Sequence, residues 1–326
     1  MTRRATARAH ANIALVKYWG KRQSDLNLPA NGSLSLTLDA MHTTTAVEWT
    51  TSGGIDEVAL NGSRLEGREL AKIGAWLDRV RQLAGIQDRA RIETVNNFPT
   101  AAGLASSASA YAALALAATA AAGLDLSPRD LSILARQGSG SAARSIFGGF
   151  VEWQRGDRPD GQDSFAEPIL APEDWDVRML VAVLEPGPKP ISSRDGMTVT
   201  TETSPMYGAW LATVEADLAA MREAVLARDL DRVGAIAEAN CLKMHATMIT
   251  SSPMILYWQP ATVALMHRVV TLRHAGLGAY FTMDAGPNVK VLCAPGDAER
   301  LKGELLAVPG VQEVLMGKPG PGVVLL

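Results

Sequence analysis

A chain of 326 residues, 47% hydrophobic and 20% charged, has the makeup of a globular protein long enough for two domains. A formal net charge of -3 and the absence of any Lys/Arg block argue against bulk electrostatic binding, so neither nucleic acid nor a membrane is expected as a partner. The two cysteines, Cys241 and Cys293, suit a reducing cytoplasm and offer no metal-ligand spacing, and no metal-ligating residue is assigned.

The N-terminus carries Arg3, Arg4 and Arg8, but the apolar run that follows, 13–16, is too short for a signal peptide. The alanine-rich run 110–122 is short and weakly apolar, so it reads as a packed helix rather than a membrane span, and no export or anchoring is expected. Residues 9–16 read as a buried strand, and KYWGKR at 17–22 then brings two lysines and two aromatics together. Residues 33–38 alternate polar and apolar and 43–50 are β-branched, which predicts two strands paired with each other. Asn61–Gly62 marks a hairpin over 58–65. Leu70, Ile73, Leu77 and Val80 recur at helical spacing, predicting a helix that ends near Gly85, and 90–95 is a further strand.

That strand leads into FPTAAGLASSASA at 98–110, the stretch with the most chemistry in it. Small residues let a backbone approach an anion, Gly103 permits a turn closed to other residues, and the alanine-rich helix behind it offers unpaired N–H groups and the positive end of its dipole. Ser106, Ser107 and Ser109 add hydroxyl donors. A capped, buried, alanine-rich helix is the plainer alternative.

Ser127–Pro128 with Asp130 starts the next helix, to about Arg136. A second small-residue loop, QGSGSAARSIFGG at 137–149, sets Ser139, Gly140 and Ser141 ahead of a helical turn carrying Arg144. After a strand at 150–154, the Pro-, Gly- and Asp-rich segment 155–176 reads as the interdomain connection. The second half opens with an apolar strand, 177–184, and continues through a polar loop, 192–197. A long helix from Ser204–Pro205 carries Trp210, Val214, Leu218, Met221 and Val225 on one face; Leu230, Val233 and Ile236 mark another, and Val263, Met266 and Val270 a third. Strands at 279–283 and 289–293 flank DAGPN at 284–288, and one more helix and two short strands close the chain.

The chain has no Walker phosphate loop, HExxH or GxSxG elbow, and its five histidines are scattered without ligand spacing. Gly138-x-Gly140-x-x-Ala143 matches a dinucleotide fingerprint, but that pattern needs a strand before it and 131–136 reads as helix. What remains is a set of anion-binding pieces, Lys17, Lys21, the 99–109 loop, Ser139–Ser141 with Arg144, and Arg194, around one carboxylate, Asp284. Such a set suits a phosphorylated, carboxylate-bearing substrate beside a nucleotide, with a single acid to take a proton from a hydroxyl. The ordinary reading of Asp284 alone is a turn-forming residue at a strand end.

The segments ANIALVKYWGKR (11–22), NNFPTAAGLASSASA (96–110), GSGSAARS (138–145) and YFTMDAGPN (280–288) together resemble the mevalonate diphosphate decarboxylase family of the GHMP kinase superfamily. The likeness runs over nearly the whole length with the motifs in the same order. It implies a two-domain α/β (α+β) fold: an N-terminal ribosomal protein S5 domain 2-like part over 1–172 and a C-terminal ferredoxin-like α/β sandwich over 173–326. The active site would lie in the cleft between them. It further implies ATP and Mg²⁺, a cytoplasmic homodimer, and decarboxylation of mevalonate 5-diphosphate in isoprenoid biosynthesis.

Carried over by motif, Asp284 is the catalytic base near the substrate's 3-hydroxyl, Lys17 its partner at the reacting phosphate, and Arg144 the holder of the substrate carboxylate. Tyr18, Lys21, Ser139, Gly140, Ser141 and Arg194 fall where the family grips the diphosphate, together with Ser193, for which Ser192 is the alternative. Pro99, Ala102, Gly103, Leu104, Ala105, Ser106, Ser107 and Ser109 would hold ATP phosphates. Three other readings share parts of this pattern: a small-molecule kinase of the superfamily, a decarboxylase of the monophosphate, and a non-catalytic metabolite sensor. The kinases usually carry Gly-Glu-His near the N-terminus, where this chain has Trp19-Gly20-Lys21, and the intact Asp284, Lys17 and Arg144 argue against a sensor.

Overall fold

The computed structural model describes residues 3–51, 54–98, 106–184 and 191–326. Alanine at every second position from Ala5 to Ala11, alternating with larger polar residues, and then an apolar end build β1 (Arg4–Val16), followed by the short pair β2 (Lys21–Gln23) and β3 (Leu28–Pro29). The next strand, β4 (Ser33–Thr50), runs antiparallel to β1 along almost all of its length. The two strands expected at 33–38 and 43–50 are therefore halves of one. Neither glycine nor proline separates Leu38 from Thr43, and both halves pair with β1 across irregularities at His10/Asn12 and Ala14/Val16.

The hairpin at Asn61–Gly62 forms as expected, between β5 (Glu57–Leu60) and β6 (Ser63–Arg64), with both turn residues at positive φ, 49° and 80°. Helix α1 (Gly67–Ala84) ends on Gly85 at φ 65° and leads to β7 (Arg89–Asn96), which pairs with β4. Helix α2 (Ser106–Ala121) lays a nearly continuous surface of alanines on the sheet, close enough for the Trp49 indole N–H to donate to the Ala118 carbonyl at 3.0 Å. Ser127 caps α3 (Pro128–Gly138), its hydroxyl accepting from the Asp130 amide at 3.1 Å. A 3-10 turn over Gly140–Ile146 and strand β8 (Phe150–Trp153) follow.

The segment expected to connect domains holds a strand, β9 (Ala166–Leu170), paired with β8 at the sheet margin. Its charges and Pro168 hide the pattern, and a proline is tolerated there because an edge strand need not donate on both sides.

The second sheet is wholly antiparallel, in the order β11 (Ala279–Met283), β12 (Val289–Cys293), β10 (Arg178–Leu184), β13 (Val311–Gly317). Helices α7 (Pro260–His274) and α8 (Ala298–Leu306) pack on it. The buried stripe of α7 is Thr262, Leu265, Val269 and Leu272, not the one expected: Val263 is exposed. The last strand, β14 (Val324–Leu325), returns to pair with β1 in the first sheet.

Between the two sheets lie α4 (Ser193–Thr203), α5 (Tyr207–Leu226) and α6 (Leu230–Ile249). Trp210, Leu218 and Met221 of α5 and Met248 of α6 join Ile13 and Leu34 of the first sheet and Met179 of the second in one core. Full burial of such side chains stabilises by about 1.5–3 kcal/mol each. Helix α4 stands where a polar loop was expected. Its threonines are weak helix formers, but they turn their hydroxyls onto the backbone behind them, as Thr203 does to the Val199 carbonyl at 2.7 Å.

Candidate active site

The two layers leave a cavity of about 630 Å³, reached by side chains from β1, α1, α2, the 139–144 turn, α4, α6 and the loop after β11. Lys17, Tyr18, Lys21, Ser139, Gly140, Ser141, Arg144, Ser193, Arg194 and Asp284, far apart in the chain, all line it.

Asp284 leaves the end of β11 with its side chain 26% exposed. Its Oδ1 accepts from Lys17 Nζ at 2.8 Å, and Oδ2 faces Lys290 Nζ at 3.1 Å. Burial pushes the carboxyl upward, but the two ammonium charges outweigh it and hold Asp284 well below the usual carboxylate range. Lys17 is itself anchored by donating to the Ala14 carbonyl at 2.7 Å, and its backbone N–H donates to Asn240 Oδ1 on α6 at 2.8 Å. The result is an ionised acceptor in a fixed position.

Arg144 is 2% exposed. Its Nε donates to Ser35 Oγ at 2.9 Å and Asn12 Oδ1 at 3.2 Å, and Nη1 to Ser33 Oγ at 2.5 Å. Alternating positions of β4 thus aim the guanidinium from behind, and three of its five donors remain for a ligand. Burial draws Arg144 down to about 10, so it stays charged at neutral pH.

Tyr18 sits edge-on to Trp153, ring centroids 4.8 Å apart, with its hydroxyl buried and, among the described residues, without a hydrogen-bond partner. A Cβ on Gly140 would lie 2.8 Å from Trp153 Cη2 and 2.9 Å from Tyr18 Cε1, so only glycine lets this turn close on the two rings. Ser139 Oγ lies 3.2 Å from Ser107 Oγ, joining the second small-residue loop to the start of α2. Lys21 Nζ donates to Asn27 Oδ1 at 2.7 Å, and burial together with the charge of Arg194 lowers it to about 8. Hydroxyls, a helix start and several cations around an orphaned tyrosine hydroxyl make a surface suited to phosphate groups.

Residues 9–166 match the family model described as the diphosphomevalonate decarboxylase-like N-terminal domain, and 179–313 that of the mevalonate 5-diphosphate decarboxylase C-terminal domain. The chain belongs to the mevalonate diphosphate decarboxylase family. A diphosphomevalonate decarboxylase of Ganoderma lucidum is 40% identical over 88% of this chain and 77% of that protein. A phosphomevalonate decarboxylase of Haloferax volcanii is 35% identical over 99% of this chain and 98% of that protein. Among solved structures, the mevalonate diphosphate decarboxylase of Enterococcus faecalis superposes with TM-score 0.92 at 45% identity, over 99% of this chain and 98% of that one. A complex with MVAPP, AMPPCP and magnesium gives 0.94 at 46% identity, with the same coverage. The mixed α/β fold with two family domains is that of the mevalonate diphosphate decarboxylases.

Not every residue expected from the family resemblance reaches the cavity. Ser106 and Ser107 do, but as the first turn of α2 rather than as loop. Ser109 does not: it is fully buried, its hydroxyl 2.7 Å from Thr43 Oγ1 and bonded to the Ser106 carbonyl. Pro99, Ala102, Gly103, Leu104 and Ala105 lie outside the described residues. Ser192 caps α4 through the Asp195 amide at 3.1 Å, while Ser193 is its first residue; both line the cavity.

Sequence reasoning passed over Asn12, Asn27, Arg68, Lys72 and Met244, which also line the cavity. Lys72 looks like any solvated position on the polar face of α1, and Asn12 is one polar residue in an apolar strand. His245, one of the scattered histidines of the sequence, is buried on α6 near Asp284 with Nε2 unpartnered among the described residues, and burial pulls it to about 3, leaving it neutral.

Proposed function

We propose that this chain catalyses the ATP-dependent decarboxylation of mevalonate 5-diphosphate to isopentenyl diphosphate, ADP, phosphate and CO₂, a step of isoprenoid biosynthesis. The observation that carries this reading is the joint presence, in one cavity, of the lysine-held carboxylate of Asp284 and the braced guanidinium of Arg144. One serves a hydroxyl and the other a carboxylate, the two groups that a 3-hydroxy acid presents.

Such an acid has no carbonyl to receive electrons as CO₂ leaves. ATP supplies the phosphoryl group that turns the hydroxyl into a leaving group, and magnesium supplies positive charge to the phosphates. The residues fit these groups: the orphaned Tyr18 hydroxyl, the Gly140 approach and the Ser107–Ser139 hydroxyl pair form an anion cradle. Magnesium bound with ATP would supply its positive charge at the phosphates beside this cradle. Asp284 Oδ1 accepts the hydroxyl proton as that oxygen is phosphorylated. Arg144 grips the carboxylate and holds the C1–C2 bond in line with the C3–O bond, so that the C1–C2 electron pair becomes the C2=C3 alkene as CO₂ leaves and the C3–O pair departs with phosphate. Lys17, Lys21 and Arg194 stabilise phosphoryl charge, with the first turn of α2 adding N–H donors.

We place the division into a nucleotide-side half and a half bearing Asp284 near 172/173, in the interval left between the matched segments 9–166 and 179–313. Two buried free cysteines support a cytoplasmic location, and no helix of the described residues is long and apolar enough to cross a membrane. Exposed Met254 and Leu256 are candidates for the contact of a homodimer.

Phosphomevalonate decarboxylase is the second reading, favoured by the full-length match to the Haloferax volcanii protein. The function is tested by measuring ADP and CO₂ together from mevalonate 5-diphosphate, ATP and Mg²⁺. Equal yields of the two are expected. ADP without CO₂ would identify a kinase, and absence of both would identify a binding protein.

A further inference from the structure

Strand β12 places Lys290 between Val289 and Val291 in the middle of the second sheet, opposite Val181 on β10 and Thr282 on β11. The residue is 0% exposed. Lysines are almost never fully buried unless paired, and a buried ammonium is a poor stabiliser of a fold, where a methionine of similar length would serve as well. The cause of this one is Asp284. Lys290 Nζ lies 3.1 Å from Asp284 Oδ2, and among the described residues it has no hydrogen-bond partner.

Asp284 Oδ2 is likewise closed to solvent and without a hydrogen bond, although the side chain as a whole is 26% exposed. The part of the carboxylate that reaches the cavity is therefore the Oδ1 side, where Lys17 donates at 2.8 Å. A single ion pair would leave the carboxylate free to turn about Cβ–Cγ, a broad torsion with two nearly equivalent oxygens. A second ammonium on the other oxygen removes that freedom.

We propose that Lys290 is a positioning residue of the reaction: it draws Oδ2 of Asp284 into the floor of the site and so fixes Oδ1 toward the substrate hydroxyl. This rests on the reading of Asp284 as the group that meets that hydroxyl. Lys290 also favours the ionised carboxylate, against the effect of burial; burial lowers Lys290 itself, and the Asp284 charge opposes that and helps to keep its proton. The other titratable groups facing Asp284 are Lys17, Arg144 on the 3-10 turn, and His245 and Cys241 on α6. Burial keeps His245 neutral and raises the Cys241 thiol, so near neutral pH only the cations act on Asp284.

The test uses the full-length protein and single-turnover ADP release. Lys290→Met removes the charge at similar volume, and Lys290→Gln keeps a donor without the charge and carries the same test should the methionine variant not fold. The expected result is a fall in rate of about tenfold or more with KM for either substrate within about threefold. The variant-to-wild-type ratio should fall further from about pH 8 to about pH 5, since Asp284 then takes up a proton where the wild type stays ionised; a ratio also cancels the titration of the substrates. In an Asp284→Asn background, Lys290→Met should cost less than about twofold. Equal losses in both backgrounds, or a ratio independent of pH, would overturn the proposal and leave Lys290 a residue of the sheet. Near-normal turnover by Asp284→Asn alone would instead sink the proposed role of Asp284, so the two failures are distinguishable.

Discussion

Lys17 and Asp284 are 267 residues apart in the chain and 2.8 Å apart in space. Lys17 follows the end of β1 in the first sheet, and Asp284 follows β11 in the second, so their ion pair spans the seam between the two layers. The Asn240 amide oxygen on α6 adds a tie to the Lys17 backbone at the same seam. The position of the Asp284 carboxylate is set by docking of the two layers rather than by either alone.

Replacing Asp284 by Asn keeps the size of the group and the shape of its turn while removing its ability to take a proton. Turnover should fall by about 10²–10⁴-fold with binding of nucleotide and substrate retained. Turnover within about threefold of wild type would remove Asp284 from the chemistry, and loss of folding would return it to the part of a turn residue.

Arg144 is braced by Ser33, Ser35 and Asn12 so that its remaining donors meet a planar partner. A lysine has neither the fork nor the reach to keep those braces. Arg144→Lys should therefore lower kcat/KM for the acid substrate by about 10²-fold or more while leaving ATP affinity within about threefold. Equal losses in the two titrations would assign Arg144 to the nucleotide or to the fold.

At Gly140 a methyl group would meet two rigid rings, those of Trp153 and Tyr18. Neither can yield without moving the turn, so Gly140→Ala should destabilise by about 1–3 kcal/mol and raise KM for the diphosphate substrate. Thermal unfolding and steady-state kinetics read the two effects separately. An unchanged Tm with an unchanged KM would show that the turn has room to spare.

Gly140 and Arg144 were legible in the sequence because they stand in a short run of glycine and serine, where a charged residue has no packing reason to be, and Asp284 because it is the one carboxylate in a Gly-Pro turn between two apolar strands. Lys72 and Lys290 were not legible, for opposite reasons. Lys72 lies on the polar face of an amphipathic helix, where a cation is ordinary, and Lys290 lies in an apolar strand whose neighbours say only that it is buried. The same contrast runs through the fold. Asn61–Gly62, Gly85 and Ser127–Pro128 announce their turns and caps through backbone chemistry, whereas α4 is held by threonine hydroxyls and by packing between sheets that no local pattern records. Strand β4 reads as two strands in the sequence because its alternation changes midway, at the point where it passes from β8 to β7 as its second neighbour.

Lys21 gives the site a basic limb. Burial and the charge of Arg194 lower it to about 8, so raising the pH through that value removes a cation from the free enzyme, while a bound phosphate would hold the proton in place. Accordingly kcat/KM should decline above about pH 8 and kcat should not, since the first reports the free enzyme and the second the complex. In Arg194→Ala the limb should move to higher pH, because one cause of the depression is gone. A limb that stays put in that variant would have another source.

The number of phosphates on the preferred substrate follows from a count of donors. With Arg144 assigned to the carboxylate, as proposed, the other cations and hydroxyls lining the cavity, Lys21, Arg194, Tyr18, Ser139 and Ser141, exceed what one phosphate would occupy. The Tyr18 hydroxyl is already buried without a partner, so a ligand that fails to reach it leaves that loss uncompensated. Each charge-assisted hydrogen bond forfeited is worth about 1.5–3 kcal/mol, so mevalonate 5-diphosphate should be preferred over the monophosphate in kcat/KM by about 10²-fold or more. The measurement compares both substrates at matched Mg²⁺ and ionic strength, with Lys21→Ala and Arg194→Ala beside wild type. Equal or faster use of the monophosphate by wild type would give the site to that substrate. A preference that disappears in both variants would place the second phosphate at Lys21 and Arg194, and one that survives in both would place it deeper, against Tyr18 and the Ser139–Ser141 turn.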